Sequence, residues 1–97
     1  MIWIMRMLDI RRSTQFKKDL KKIIKQGKNL SLLEEIVNLL CVGKSLPEKN
    51  NDHSLVGDWK GYKECHINPD WLLIYKVEEE INLLRLMRTG SHSELFQ

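Results

Sequence analysis

Three histidines, His53, His66 and His92, all fall in the second half of a 97-residue chain, each beside a turn or loop. Around them stand Glu64, Asp70 and Arg88, the first two flanking His66 in the stretch ECHINPDWLLIYKV at positions 64 to 77. Cleavage of an RNA phosphodiester needs a base to take the 2′-hydroxyl proton, an acid to protonate the departing 5′-oxygen, and positive charge beside the phosphorane. Imidazole, with a reference pKa of about 6.5, serves in either proton-transfer role near neutrality. The planar fork of Arg88 matches two phosphate oxygens at once. Asp70 can orient a histidine or accept a proton, and Glu64 shares a strand face with His66 because strand side chains alternate with period two. The NPD turn is expected to bring His66, ending one strand, near Asp70, opening the next. Each histidine alone is an ordinary surface residue and Asp70 after Pro69 an ordinary turn residue; it is the set that suggests chemistry.

Other chemistries fit less well. Cys41 and Cys65 have no paired zinc spacing and form no disulfide framework, so both are read as reduced, mostly buried thiols. Cys65 and His66 are adjacent on a strand and point to opposite faces, which argues against a catalytic dyad. No HExxH and no cysteine pair accompanies the histidines, so neither a metal nor another cofactor is expected. The apolar start MIWIM is interrupted by Arg6 and Asp9, well short of the roughly 18 residues that a membrane span needs. It also lacks a signal peptide's charged leader and cleavage site, and the chain is read as cytoplasmic, without a membrane partner.

Hydrophobic residues at 42% and charged residues at 30% are globular values, and 97 residues suit one domain, 1–97, with one core. A strand is expected from about Met5 to Arg12. After Ser13 as N-cap, Phe16, Leu20, Ile23 and Ile24 recur at helical spacing from Thr14 to Gln26, and Gly27 stops the helix. A second helix, capped by Asn29 or Ser31 with Ser31 and Glu34 in a capping-box pattern, carries Leu32, Leu33, Ile36, Val37, Leu39 and Leu40 before Gly43. A polar loop, GKSLPEKNNDHSLVGD at positions 43 to 58, holds His53 and is a candidate functional loop. Strands are expected at Trp59 to Ile67, Trp71 to Val77 and Ile81 to Thr89. The order β-α-α-β-β-β argues an α+β fold, two N-terminal helices packed on one face of a mainly antiparallel sheet. The other face is expected to stay open for a ligand. Trp59, Trp71, Tyr62 and Tyr75 read chiefly as packing residues, with Trp71 beside Asp70 the aromatic of interest.

Charge divides the chain. Residues 1 to 28 hold nine basic residues against Asp9 and Asp19, a net +7, and the remainder carries −4 of the total +3. Lys17, Lys18, Lys21 and Lys22 give the first helix a basic outer side, as expected of a surface facing RNA, where phosphate contacts release counterions. A solvated lysine-rich helix face has the same composition.

The runs DHSLVGDWKGYKECHINPDWLLIYKV (52–77) and LLRLMRTGSHSELF (83–96) closely resemble the YafQ branch of the RelE/ParE superfamily of bacterial type II toxins. A D-H-x-L, a W-K-G-Y, an H-x-x-P-D-W and an R-x-G-x-H-x-x-L-F follow one another at compatible spacing; the helical half agrees in layout more than in sequence. The resemblance implies a RelE-like, microbial-ribonuclease-like fold and a ribosome-dependent endoribonuclease that cuts mRNA without a metal, inhibited by a cognate antitoxin. Contact with DNA is implied only through that antitoxin. By position it implies acid–base roles for His53, His66, Asp70 and His92. It further implies substrate or phosphate contacts for Glu64, Trp71, Arg88 and Phe96. MIWIM reads as an extension before the family's first strand, with Met1, Met5 and Met7 as alternative starts. Gyrase-directed toxins share the fold, so a non-catalytic toxin is the alternative reading, and an RNA-binding module that makes no cuts is a weaker one.

Overall fold

A computed structural model describes residues 7 to 96. Strand β1 (Asp9–Arg12) leads into helix α1 (Thr14–Lys25), followed by helix α2 (Leu30–Cys41), the two-residue strand β2 (His53–Ser54), β3 (Lys63–Asn68), β4 (Trp71–Glu78), β5 (Leu83–Gly90) and the one-turn helix α3 (His92–Leu95). The expected strand at Met5 and Arg6 lies outside the described residues.

Helix α1 starts where Ser13 turns the chain: its hydroxyl oxygen accepts from the Phe16 N–H at 2.9 Å and its hydroxyl donates to the Met87 carbonyl at 2.8 Å. The cap thus ties the helix start to β5 as well as satisfying an orphan donor. The helix ends one residue earlier than expected, with Gln26 as C-cap and Gly27 at φ +74°, a left-handed angle glycine adopts without strain. In α2, Asn29 is the cap. Ser31 sits inside the first turn and donates its hydroxyl back to Asn29 Oδ1 at 2.7 Å, so the expected Ser31–Glu34 box does not form.

The sheet order is β1-β5-β4-β3-β2, with β1 parallel to β5 and every other pair antiparallel. Phe16, Ile23, Leu33, Ile36 and Leu40 from the helices pack on Cys65, Ile67, Trp71, Leu73, Tyr75, Leu84 and Leu86 of the sheet. Each such side chain, fully buried, contributes about 1.5–3 kcal/mol. The opposite face is not bare, as the sequence had suggested. Leu72, Ile74 and Leu95 form a second apolar cluster, flanked by Leu55, Trp59, Tyr62, Met87 and Phe96. Trp59 belongs to that cluster because Gly57–Trp59 is a 3-10 turn, not the start of a strand, and its ring meets Tyr62 edge-on at 5.4 Å. Likewise a 3-10 turn at Glu79–Ile81 and left-handed Asn82 delay β5 to Leu83.

Candidate active site

Register places the polar groups of the second face in rows. His53 pairs with Glu64, Glu64 with Ile74, and Ile74 with Arg88, so one row crosses four strands. Residues opposite one another share a face, and strands lie about 4.8 Å apart, which puts His53 and Arg88 about 14 Å apart along that row. Arg88 reaches it through an irregularity: β4 pairs Ile74 with Arg88 but Tyr75 with Leu86, leaving Met87 as the extra residue. Plain alternation after Leu84 and Leu86 would turn position 88 toward the helices; the bulge brings its backbone into register with Ile74, while its guanidinium still reaches Asp19 of α1. The next row pairs His66 with Leu72 and Leu72 with Gly90, two residues before His92.

Glu64 is the buried centre of the histidine end, 6% exposed, with Oε1 at 3.6 Å from His53 Nε2 and 3.7 Å from His66 Nε2. His53 Nδ1 lies 2.8 Å from the Asn51 carbonyl oxygen. A carbonyl only accepts, so Nδ1 carries the hydrogen, and in neutral His53 the free lone pair is on Nε2. The loop before it is anchored three times. Asn50 Nδ2 donates to the His66 carbonyl at 2.7 Å, and Asp52 accepts from the Tyr75 hydroxyl at 2.6 Å and from Lys63 Nζ at 2.9 Å. Burial and the Asp52 hydrogen bond push the Tyr75 hydroxyl pKa up, so it stays a donor.

At the other end, Ser91 caps α3 in a reciprocal capping box: its N–H donates to Glu94 Oε1 at 2.8 Å, and its Oγ accepts from the Glu94 N–H. His92 follows directly, its ring 5.0 Å from that of Phe96. His53, Glu64, Trp59, His92, Leu95 and Phe96 line one cleft of about 550 Å³. Arg88 lines not this cleft but a separate cavity of about 330 Å³ with Lys18, Asp19 and Lys22 of α1, its Nε and one terminal nitrogen on Asp19 at 2.7 and 3.2 Å. Asp19 also accepts from Thr89 N–H and Gln15 Nε2. A larger cavity, about 810 Å³, lies by Leu40, Leu46, Asp52 and Tyr75, and no histidine lines it among the described residues.

The structure thus gathers His53, Glu64 and His92 with Phe96, links His66 through Glu64, and sets Arg88 on the same row. Asp70 does not join them: it is exposed in the turn, with its N–H donating to Asn68 Oδ1 at 3.0 Å. Trp71 corrects the expectation of a substrate contact. It is 0% exposed in the helix-side core, and its indole N–H donates to Thr89 Oγ1 at 2.8 Å. Cys65 faces that same core, its thiol pushed up to about 12 by burial and the nearby Asp52 and Glu64, and is no nucleophile. Lys17, Lys18, Lys21 and Lys22 are all exposed, and Lys22, its side chain 61% exposed, is also paired with Glu94. Asn50, Asn51, Asp52, Asp19 and the Ser91–Glu94 box escaped sequence reading. Two had a signal: S-x-x-E at 91–94, and an acid at position 19 within the apolar stripe of a lysine-rich helix.

An α+β sheet whose second face carries a histidine–carboxylate–arginine row, beside a basic helix, matches the family model described as the bacterial toxin of type II toxin–antitoxin systems, YafQ, over residues 8–97. The chain belongs to that family. It is 44% identical over 89 residues to the mRNA interferase toxin YafQ of Escherichia coli (strain K12), covering 91% of this chain and 95% of the relative. Its fold matches a chain of the E. coli DinJ–YafQ toxin–antitoxin complex with a TM-score of 0.85 at 43% identity, over 97% of this chain and 100% of that one. A metal-bound toxin from Helicobacter pylori matches with a TM-score of 0.88 at 47% identity, over 93% and 100%. Here, among the described residues, no three histidine, cysteine, aspartate or glutamate side chains are grouped to hold a metal ion. No described helix is long and apolar enough to cross a membrane.

Proposed function

We propose that this toxin is a ribosome-dependent endoribonuclease that cleaves mRNA by metal-independent acid–base catalysis in the cytoplasm. The observation that carries the reading is the row His53–Glu64–Ile74–Arg88, whose His53 and Glu64 line one cleft with His92. His53 Nε2, freed by the Nδ1–H bond to Asn51, takes the proton of the 2′-hydroxyl. The 2′-oxygen attacks phosphorus, the bond from phosphorus to the 5′-oxygen breaks, and His92 gives its proton to that leaving oxygen. The products are a 2′,3′-cyclic phosphate and a 5′-hydroxyl. Arg88, oriented by Asp19, presents its remaining N–H groups to the phosphorane oxygens, where fixed positive charge stabilises developing negative charge. Glu64, 3.6 and 3.7 Å from the Nε2 atoms of His53 and His66, stabilises the imidazolium that forms once His53 has taken the proton, and Phe96 sets the plane of His92. Asp70, at the exposed turn, is assigned to substrate or ribosome contact.

The ribosome dependence draws on the open site and the charge of α1. A shallow cleft with few groups to hold a nucleotide needs its substrate presented, and exposed Lys17, Lys18 and Lys21 suit ribosomal RNA phosphates. By analogy with the DinJ–YafQ complex, a cognate antitoxin is the inhibitory partner. Induced expression with primer extension on a reporter mRNA tests the proposal. Codon-spaced cuts that vanish when translation is blocked support it; arrest of growth with uncut message would overturn it.

A further inference from the structure

We infer that Lys22 of α1 is a positioning residue for His92, acting through Glu94, and not simply one more cation facing RNA. The inference rests on the acid role proposed for His92. A four-residue helix has too few internal backbone hydrogen bonds to hold itself, so side-chain contacts must fix α3. Three do. Leu95 is buried against Leu72 and Ile74, Ser91 and Glu94 close the capping box, and Lys22 Nζ pairs with Glu94 Oε2. The carboxylate of Glu94 is therefore divided, one oxygen to the Ser91 N–H and the other to Lys22, and His92 lies between Ser91 and Glu94, the two residues of the capping box.

Three further observations agree. Lys22 holds the Glu94 carboxyl down to about 2, with the Ser91 N–H helping, so the anion persists across all working conditions. Gly90 leaves room for Glu94 to fold back: a Cβ there would lie 3.2 Å from Glu94 Oε1, at φ +157°. And Asp19, three residues before Lys22 and so on the same helical face, grips Arg88 and Thr89. Two side chains of α1 thus hold both ends of the segment from Arg88 to Glu94. The helix that carries the basic surface also sets the catalytic acid.

The two roles for Lys22 separate kinetically. A phosphate contact contributes to ribosome affinity and to its salt dependence, whereas a positioning contact contributes to the chemical step. The test is single-turnover cleavage by the full chain on programmed ribosomes, for Lys22→Met, Lys22→Arg, Glu94→Gln and the double variant Lys22→Met/Glu94→Gln, with His92→Gln as reference and thermal melting of each. Glu94→Gln keeps an oxygen for Ser91 N–H and removes only the charge. The expected result is a cleavage rate at saturating ribosomes lowered roughly 10- to 100-fold in Lys22→Met and in Glu94→Gln, the scale of a misplaced group. The double variant should be no worse than either single within about twofold, as for two members of one contact. Lys22→Arg should restore most of the rate, and the salt slope of ribosome binding should stay that of wild type. A Lys22→Met defect confined to affinity and salt slope, or additive single effects, would overturn the inference. If His92→Gln itself cleaves at the wild-type rate, the acid assignment fails, and with it the ground for the inference.

Discussion

The two ends of the polar row are built by different means. At the His53 end the backbone does the positioning: β2 pairs His53 with Glu64, β3 carries His66 two residues on, and buried Glu64 lies between the two imidazoles. At the Arg88 end the backbone brings the residues only approximately, through a bulge and a one-turn helix, and side chains of α1 complete the placement. A ladder of hydrogen bonds resists local change because neighbouring pairs hold the register. A set of partly exposed ion pairs is tuned by salt, by pH and by anything that touches α1. The toxin therefore joins a half-site placed by backbone pairing to one whose placement depends on ion pairs with α1, so the second is the adjustable half.

The largest effects should come from the imidazoles themselves. His53→Gln and His92→Gln should each lower single-turnover cleavage by about 10² to 10⁴, the usual contribution of a general base or acid, with melting temperatures close to wild type. A large fall in melting temperature for either would move that histidine to a structural role. Arg88→Lys should lower cleavage by a smaller factor, roughly tenfold to a hundredfold, because a lysine keeps the charge but cannot meet Asp19 and a phosphate with one planar fork. Its cleavage assay at saturating ribosomes decides whether the fork or the charge matters.

Trp71 sharpens the contrast from the opposite side of the sheet. Trp71→Ala should cost about 3–5 kcal/mol of stability, as large core truncations do, measured by denaturant unfolding. Trp71→Phe should lose about 1 kcal/mol with the Thr89 hydrogen bond and retain cleavage; loss of cleavage at unchanged stability would restore a substrate role for this residue.

Legibility in the sequence followed how local each determinant is. The helices were readable because Phe16, Ile23, Ile36 and Leu40 repeat at 3.6-residue spacing and Ser13 and Gly27 bracket the first of them. The histidines, Glu64 and Arg88 stand out in the sequence as residue types that could do chemistry together, and Phe96 only through the resemblance. Their mutual placement was not readable there. The pairing of His53 with Glu64 depends on a two-residue strand that no periodicity can mark, and the register of Arg88 with Ile74 depends on the bulge at Met87, which plain alternation does not anticipate. The residues alone read Trp71 chiefly as packing, and strand alternation with Leu73 and Tyr75 does bury it; only the substrate contact implied by the resemblance is overturned. The turn joining His66 to Asp70 was read correctly as a turn, yet His66 finds its carboxylate in Glu64, two residues back on its own strand.

Smaller effects belong to the surface of the adjustable half. Lys17→Gln, Lys18→Gln and Lys21→Gln together should weaken ribosome association and flatten its salt dependence, each lost phosphate contact reducing the slope by about 0.9, with cleavage at saturation preserved. An unchanged slope would make these lysines a solvated face only. Acid should loosen the latch on α3. Glu94 titrates at about 2 when folded against its ordinary 4.5, so the unfolded chain takes up the proton first as pH falls. Its contribution to stability is complete above about pH 4.5 and fades toward about pH 2. Melting curves over that range should show a shallower acid loss in Glu94→Gln than in wild type.

The central claim is that two histidines and an arginine on one sheet face cut RNA with no metal. The direct measurement is the chemistry of the cut ends made by the wild-type toxin on programmed ribosomes pretreated so that tightly bound transition metals are removed by a chelator while magnesium is restored for ribosome integrity. Cleavage should be unchanged, leaving a 2′,3′-cyclic phosphate on the upstream fragment and a 5′-hydroxyl on the downstream one. Cleavage lost on chelation and regained with a transition metal, or 5′-phosphate ends, would contradict it.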